Sequence, residues 1–274
     1  MPYEGLVKMT PKGPRWTGKV ILDAAKLEQP LSWKKPRRIF VNSMSDLFHE
    51  ALNETQIQNV FSVMEGAKRH TYQVLTKRPA RMLEFVSKFD KWLGYAAATA
   101  FAERFSHVWL GVSVEDQKTA NERIPILLET PAAVRWISAE PLLGPIDLSA
   151  FTGVTPNITG EREVRYSMLD WVVVGGESGP KARPMHPDWA RGLRDQCVAA
   201  GVPYFFKQHG EWIGSDQQMA DGSDPVLSAS DVHHKWPNGK PSGPPHFGMN
   251  YSIKVGKKAA GRLLDGVEWS EYPK

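Results

Sequence analysis

The sequence predicts an α/β protein centred on a partial TIM-like (β/α) barrel of about six parallel βα units, with an irregular C-terminal extension. Six short segments are apolar and stop abruptly at polar or charged residues, as strands buried on both faces of a parallel sheet do. They recur at intervals of roughly 30 residues, the average length of a βα unit in a barrel. The segments are residues 39–46, 72–78, 109–116, 135–140, 171–177 and 204–209.

Helix signals occupy the intervals between these strands. Asn53 is placed to cap a stretch with apolar residues on one face, and Pro79 opens a second amphipathic stretch. A third begins near Asp116, and a fourth lies between Pro187 in its first turn and Gly201 after its last residue. We expect these helices to be the crossovers between parallel strands.

Length and composition allow one large core, with 274 residues of which 41% are hydrophobic. No run of about 18 apolar residues occurs, and the N-terminus lacks the features of a signal peptide. We therefore expect a cytoplasmic protein that does not contact a membrane. Cys197, the only cysteine, lies in a helix-like stretch and is expected to be a buried apolar residue rather than a nucleophile.

The chain divides into three regions by pattern. Residues 1–38 form an N-terminal lead-in, residues 39–212 the partial barrel, and residues 213–274 an irregular extension that ends in a helix. Residues 215–250 are rich in Gly, Pro, Ser and Asp, and an amphipathic helix-like pattern resumes over residues 254–266.

The charge balance permits an anionic partner without demanding one. The net charge is +4 and the pI about 9.0, a small excess beside 34 basic and 30 acidic residues. A dense basic run, residues 33–38, precedes the first barrel strand and has Arg15 and Trp16 nearby in sequence. The run could contact phosphates and stack on a base, or be the solvated start of a strand.

Polar residues at the strand ends are the candidate functional site, since the C-terminal ends of barrel strands face a common cleft. Helix capping and ion pairs at the barrel rim use the same residue types, so each single assignment has a structural alternative. The strand-end candidates are Asn42, Ser43, Ser45, Asp46, Thr76, Lys77, Arg78, Ser113, Glu115, Asp116, Ser138, Glu140, Gly175, Gly176, Glu177, Ser178, Lys207, Gln208 and His209.

The glycine-rich segment 175–180 is the sharpest single motif. Two glycines at a strand end let a ligand approach the backbone, and the amides after them could hold a carboxylate, a phosphate or a sulfonium-bearing cofactor. The structural alternative is a tight turn. Beyond it, Arg183 could bind a carboxylate in a bidentate manner, and His186 is either a helix N-cap or an acid or base.

Three carboxylates at strand ends, Glu115, Glu140 and Glu177, raise the possibility of a glycosidase. Two such groups can act as acid and nucleophile at a suitable separation. A metal hydrolase is less well supported and no metal site is predicted, because no His-x-His pair lies on a strand and His233-His234 falls in the irregular region.

Ordered motifs over most of the chain closely resemble the phage and prophage family of three-cysteine-motif proteins. The motifs are FVNSMSDLFH at 40–49, VLTKRP at 74–79, VWLGVSVE at 108–115, SAEPLLGPID at 138–147, GGESGP at 175–180, RPMH at 183–186 and FKQHGEW at 206–212. That family is similar to radical S-adenosylmethionine enzymes, whose three cysteines hold an iron–sulfur cluster. The cysteines are absent here, so the chain is expected to begin after the cluster loop.

The resemblance implies a radical S-adenosylmethionine-like barrel that modifies nucleic acid or a nucleotide, inactive in cluster chemistry in this form. S-adenosylmethionine is the implied cofactor, and an iron–sulfur cluster is expected for the family without ligands in this chain. A protein partner encoded nearby is a further possibility. The alternatives are a carboxylate-based TIM-barrel hydrolase and a non-catalytic scaffold that binds nucleic acid or protein.

Roles follow for each candidate on this interpretation. The catalytic candidates are Glu115, Glu140, Glu177 and His209. The cofactor-binding candidates are Asn42, Ser43, Ser45, Asp46, Ser113, Gly175, Gly176 and Ser178. The substrate-binding candidates are Lys77, Arg78, Arg183, His186, Lys207 and Gln208.

Overall fold

A computed structural model describes residues 5–11, 13–92, 100–152, 169–225, 233–235 and 251–274. The described strands are β1 (Val7–Thr10), β2 (Gly13–Trp16), β3 (Arg38–Val41), β4 (Thr71–Thr76), β5 (Val108–Ser113), β6 (Val134–Ala139), β7 (Trp171–Gly175), β8 (Tyr204–Gln208), β9 (Trp212–Gly214), β10 (His233–Lys235), β11 (Tyr251–Lys254), β12 (Leu263–Leu264) and β13 (Val267–Glu268). The described helices are α1 (Ala24–Leu27), α2 (Gln29–Ser32), α3 (Glu54–Gly66), α4 (Pro79–Trp92), α5 (Ala100–Arg104), α6 (Gln117–Glu129), α7 (Pro187–Ala200) and α8 (Lys257–Ala260).

The central sheet has six strands in the order β3-β4-β5-β6-β7-β8, and every neighbouring pair is parallel. Each strand therefore lies beside the next one in sequence, as in a barrel that does not close. The predicted fold class, a partial TIM-like barrel with parallel strands, is confirmed.

The predicted helix starts are also confirmed. Asn53 caps α3 with its side chain in a capping box, and Asp116 does the same for α6. The α7 helix begins at Pro187 and ends before Gly201, whose left-handed backbone (φ 69°) closes the last turn. Side chains that satisfy the free amides at a helix N-terminus set these boundaries locally.

The two faces of the sheet bury different side chains. The outer face packs on the helices through residues such as Leu110, Ile137 and Val174. The inner face carries a second cluster built on Trp109, Trp136, Trp171 and Val173. Two-residue periodicity along each strand separates the clusters, and both faces are apolar, which explains the nearly continuous apolar runs in the sequence.

The sheet is strongly curled. Phe40 on β3 contacts Trp136 on β6, with ring centroids 6.3 Å apart, although strands three places apart lie about 14 Å apart in a flat sheet. Gly111, on the strand beside Trp136, makes room for the indole, because a β-carbon there would lie 2.5 Å from the ring. The inner face is therefore a filled concave surface rather than an open channel.

The C-terminal segment crosses the edge of the sheet at β8. Trp269 accepts a hydrogen bond from the Phe206 amide, and Tyr204 exchanges hydrogen bonds with Glu271. The next side chain, Tyr272, packs on Trp171 with ring centroids 5.2 Å apart. Its ring also packs on Phe205 of β8 and lies 3.8 Å from the Arg38 guanidinium of β3, so one residue contacts both edges of the sheet at its N-terminal end.

The predicted C-terminal helix is wrong in extent. Residues 257–260 form one turn, α8, between Gly256 (φ 87°) and Gly261 (φ 69°), and the antiparallel pair β12-β13 follows. The extension is joined to the barrel by Arg191 of α7, which forms ion pairs with Asp188, Asp216 and Asp265. Part of the predicted irregular region, residues 226–232 and 236–250, lies outside the described residues.

None of the helices in the described ranges is long and apolar enough to cross a membrane.

Candidate functional site

A group of polar side chains lies at the C-terminal ends of β4 to β8, beyond the tryptophan cluster of the inner face. We call it the strand-end cleft and define it by Ser113, Glu115, Ser138, Glu140, Glu177 and the side chains that contact them. In this last layer Ser113 pairs with Ser138 across β5 and β6. The polar candidates converge there because parallel strands end at the same edge.

Two serines form the floor of the cleft. Ser113 is 5% exposed and Ser138 is 4% exposed, and they occupy opposite positions on neighbouring strands. Neither hydroxyl forms a hydrogen bond with another residue of the described ranges, and neither oxygen is among the fully buried atoms without a partner, so both hydroxyls are open to solvent. A hydroxyl that solvent can reach and that has no partner within the protein is available both to donate to and to accept from a ligand. This pair is therefore suited to hydrogen-bond a molecule that enters the cleft.

Glu115 and Glu140 stand at the two sides of this floor, and each is bound by cations. Glu115 contacts the Lys77 ammonium with one oxygen and lies 3.0 Å from the Arg123 guanidinium with the other. Glu140 accepts a hydrogen bond of 2.7 Å from Lys207. The cleft thus presents both signs of charge at each side.

A β-bulge brings two residues of β8 to Glu140. The register between β7 and β8 shifts after Val174, so that Gly175 pairs with Gln208 and Lys207 is the extra residue. Gln208 donates to Glu140 at 3.0 Å and to the Ser178 hydroxyl at 3.1 Å. Lys207 and Gln208, adjacent in sequence, therefore both reach the same carboxylate, an arrangement that regular alternation does not allow.

Packing explains both glycines of the 175–180 motif. A β-carbon on Gly175 would lie 3.3 Å from the carboxyl carbon of Glu140, and one on Gly176 would collide with the His209 carbonyl. The two glycines let β7 pass close to its neighbours at the rim. Their predicted role in cofactor binding stays a prediction.

Glu177 and Arg183 form a bidentate ion pair beside the cleft. The guanidinium donates to both carboxylate oxygens at 2.8 and 2.9 Å, and the Arg183 amide adds a third bond at 2.7 Å. These bonds lower the pKa of Glu177 despite its partial burial. The same hydrogen bonds to Glu177 raise the pKa of Arg183.

Asp46 and Arg78 form a separate cluster at the outer rim, next to β3. Asp46 accepts hydrogen bonds from the Thr76 hydroxyl at 2.7 Å, the Lys77 amide at 3.0 Å and Arg78 at 2.9 Å. The Arg78 guanidinium also donates to Glu50 at 2.6 Å, and this bond is the main cause of its raised pKa. The contacts of both residues join the loop after β3 to the end of β4.

The remaining residues of that loop lie at the surface. Asn42 has a left-handed backbone (φ 59°), and its carbonyl accepts a hydrogen bond of 3.0 Å from the Ser45 amide. The side chains of Ser43 and Ser45 are exposed. The geometry is that of a turn at the mouth of the cleft.

Two predicted residues do not join the cleft. His209 is 2% exposed and packs on Phe206, and its Nε2 atom lies 2.7 Å from the Leu263 carbonyl. The catalytic role predicted for His209 stays a prediction, and its ring packs on Phe206 of the helix-side cluster. His186 caps α7 by accepting a hydrogen bond of 3.1 Å from the Asp188 amide, and burial lowers its pKa.

Two members of the site were not predicted from the strand ends. Arg123 lies two turns into α6 and donates to both the Ser113 carbonyl and the Glu115 carboxylate. Glu211, beyond β8, accepts a hydrogen bond of 3.0 Å from the Gly179 amide and so holds the glycine-rich loop. One sequence signal could have indicated Arg123. It lies four residues after Thr119, so the two residues share one face of α6, and Thr119 contacts the cap residue just beyond the end of β5.

The described residues do not fit an iron–sulfur cluster. No group of three His, Cys, Asp or Glu side chains within them is arranged to hold a metal ion. Cys197 is buried in α7, and burial raises the pKa of its thiol to about 12, whereas a cluster ligand must be a thiolate.

Comparisons with known proteins give one structural similarity and one family. No curated protein matches the chain. Among solved structures, the catalytic domain of the Thermobifida fusca endoglucanase Cel5A, in complex with cellotetraose, is similar at 14% identity with a TM-score of 0.33. The match covers 69% of this chain, and the chain spans only 63% of that domain.

The family comparison covers almost the whole sequence. Residues 5–273 match the family described as "Protein of unknown function (DUF5131)". The match includes every strand of the partial barrel and every residue of the strand-end cleft. The chain therefore belongs to the DUF5131 family.

Proposed function

We propose that the strand-end cleft binds S-adenosylmethionine, the cofactor that the sequence resemblance implies. The observation that carries the proposal is a pair of nearly buried serines, Ser113 and Ser138, whose hydroxyls are open to solvent and have no hydrogen-bond partner in the described residues. A sugar hydroxyl is a suitable partner for two neighbouring hydroxyls, because each group can donate and accept.

The charges around the floor agree with a zwitterionic ligand. S-adenosylmethionine carries a carboxylate, an ammonium and a sulfonium. Lys77 and Lys207 are exposed enough to turn toward a carboxylate, with side chains 54% and 50% accessible. Glu115 and Glu140 are more deeply placed and suit the positive groups of the ligand.

No reductive step is assigned to this cleft. Because the described residues supply no thiolate set, the proposal is limited to ligand binding by the chain's own side chains. The nucleotide or nucleic acid that the resemblance implies as substrate would lie at the mouth of the cleft, near Arg183.

A carboxylate-based hydrolase is less well supported by this geometry. Such an enzyme needs one carboxylic acid that keeps its proton at neutral pH. Of the three candidate carboxylates, Glu177 forms a bidentate ion pair with Arg183, which favours its charged form. For Glu177 the pairing lowers the pKa.

Isothermal titration calorimetry with S-adenosylmethionine, on the purified chain, tests the proposal. We expect binding, and a loss of about tenfold or more in affinity in the double variant Ser113→Ala/Ser138→Ala, at about 1 kcal/mol for each hydrogen bond. The matched control is Ser62→Ala, at an exposed position of α3. Absence of binding, or equal affinity in the double variant and the control, would contradict the proposal.

A further inference from the structure

A second surface lies at the opposite end of the sheet from the strand-end cleft. It consists of five exposed cations in the two segments that lead into β3 and β4, and we call it the basic face. Its members are Lys34, Lys35, Arg37, Arg38 and Lys68. None of the five forms an ion pair with a residue of the described ranges.

The backbone under the basic face is held firmly in place. The Arg69 guanidinium donates to the carbonyls of Pro30, Leu31 and Trp33 at 2.6–3.0 Å. The buried imidazole of His70 accepts a hydrogen bond of 3.1 Å from the Arg37 amide. The two segments that carry the five cations are thus fixed to each other, which reduces the entropy lost when the cations bind a partner.

Two of these cations are also oriented by aromatic rings. The Arg37 guanidinium lies 4.4 Å from the centroid of Trp33, and the Arg38 guanidinium lies 3.8 Å from that of Tyr272. Stacking holds each guanidinium plane and leaves its N–H groups without a hydrogen bond to any described residue. An Arg held in this way is prepared for bidentate contact with a phosphate.

We propose that the basic face binds the phosphodiester backbone of a nucleic acid. A polyanion with regularly repeated phosphates satisfies several fixed cations at once, and release of its counterions supplies the free energy. An anionic lipid surface would require an amphipathic helix or apolar anchors between the cations. The helix next to the run, α2, has only four residues.

The proposal is independent of cofactor binding in the strand-end cleft. The two surfaces lie at opposite ends of the parallel strands and share no residue, so either can fail without affecting the other. A nucleic acid could therefore bind at the basic face without covering the strand-end cleft.

Fluorescence anisotropy with labelled oligonucleotides tests the inference. Single-stranded DNA, duplex DNA and single-stranded RNA of equal length form the three arms. If all five cations contact phosphates, affinity should fall about 100-fold for the single strands and about 500-fold for duplex DNA between about 50 and 200 mM salt. The double variant Lys34→Ala/Lys35→Ala should reduce the slope of log affinity against log salt by about 1.5.

The matched control is Lys257→Ala/Lys258→Ala, which removes an equally exposed pair of adjacent lysines on α8. Salt-dependent binding that is weakened only by the Lys34/Lys35 variant supports the inference, and the arm with the highest affinity identifies the nucleic acid. No binding in any arm, equal effects of the two variants, or binding only to phosphatidylserine vesicles in a parallel sedimentation assay would overturn it.

Discussion

The buried imidazole of His209 should make the stability of the fold depend on pH. Burial lowers its pKa to about 4, and the contact with the Leu263 carbonyl acts in the opposite direction without restoring the ordinary value of 6.5. The unfolded chain therefore binds a proton in a pH range where the folded protein does not. Acidification favours the unfolded state for this reason.

The sign and size of the effect follow from the two pKa values. Because the folded pKa is the lower one, the stabilisation is complete above about pH 6.5 and is lost as the pH falls toward 4. The full difference corresponds to about 3 kcal/mol, of which about 2 kcal/mol is lost between pH 7 and pH 5. Burial also lowers the pKa of His107 and His186, so both act in the same direction.

Urea unfolding at pH 7, 6 and 5 measures this dependence. In the variant His209→Gln the amide nitrogen can replace Nε2 as donor to Leu263. Between pH 7 and pH 5 the free energy of unfolding of this variant should fall by about 2 kcal/mol less than that of the wild type. The control His186→Asn removes another imidazole but keeps a capping side chain, so the His209 contribution should survive. If His209→Gln loses as much stability as the wild type, the buried imidazole is not the cause.

Three further variants test packing and capping by urea unfolding at pH 7. Gly111→Ala should destabilise by about 1–3 kcal/mol, since its β-carbon would lie 2.5 Å from an indole ring, whereas Gly192→Ala, in open space on α7, should stabilise by about 0.5–1 kcal/mol. Asn53→Ala removes the capping box of α3 and should cost about 1 kcal/mol. Arg191→Met leaves three carboxylates without their shared cation and should cost about 2 kcal/mol. For each of the three destabilising variants, an unchanged free energy of unfolding would contradict the role assigned to the substituted residue.

The elements predicted correctly are those whose signals are local. Asn53 and Asp116 mark helix starts because a side chain three residues from an amide can satisfy it without help from the rest of the fold. The six strands are evident because burial on both faces requires apolar residues throughout. The convergence of Glu115, Glu140 and Glu177 then follows from parallel strand order alone.

The parts not predicted depend on contacts between distant segments. Lys207 and Gln208 both reach Glu140 because β8 has a bulge where it pairs with Gly175. The periodicity of the β8 sequence does not indicate this bulge. His209 continues the same strand but its ring faces Leu263, a contact with a segment more than 50 residues away. Arg123 reaches Glu115 from a helix, so a search restricted to strand ends omits it.

The packing of the Tyr272 ring between Trp171 and Arg38, which we call the clasp, also has a consequence for the order of folding. Arg38 and Tyr272 lie far apart in the sequence. The entropy lost on closing so long a loop is recovered only when the strands between these two residues are already paired. We therefore expect the clasp to form after the main folding barrier. In stopped-flow kinetics, Tyr272→Ala should speed unfolding and leave the refolding rate nearly unchanged. A slower refolding rate would instead show that the clasp is already formed in the transition state. The two edges of the partial barrel would then come together before the strands between them pair.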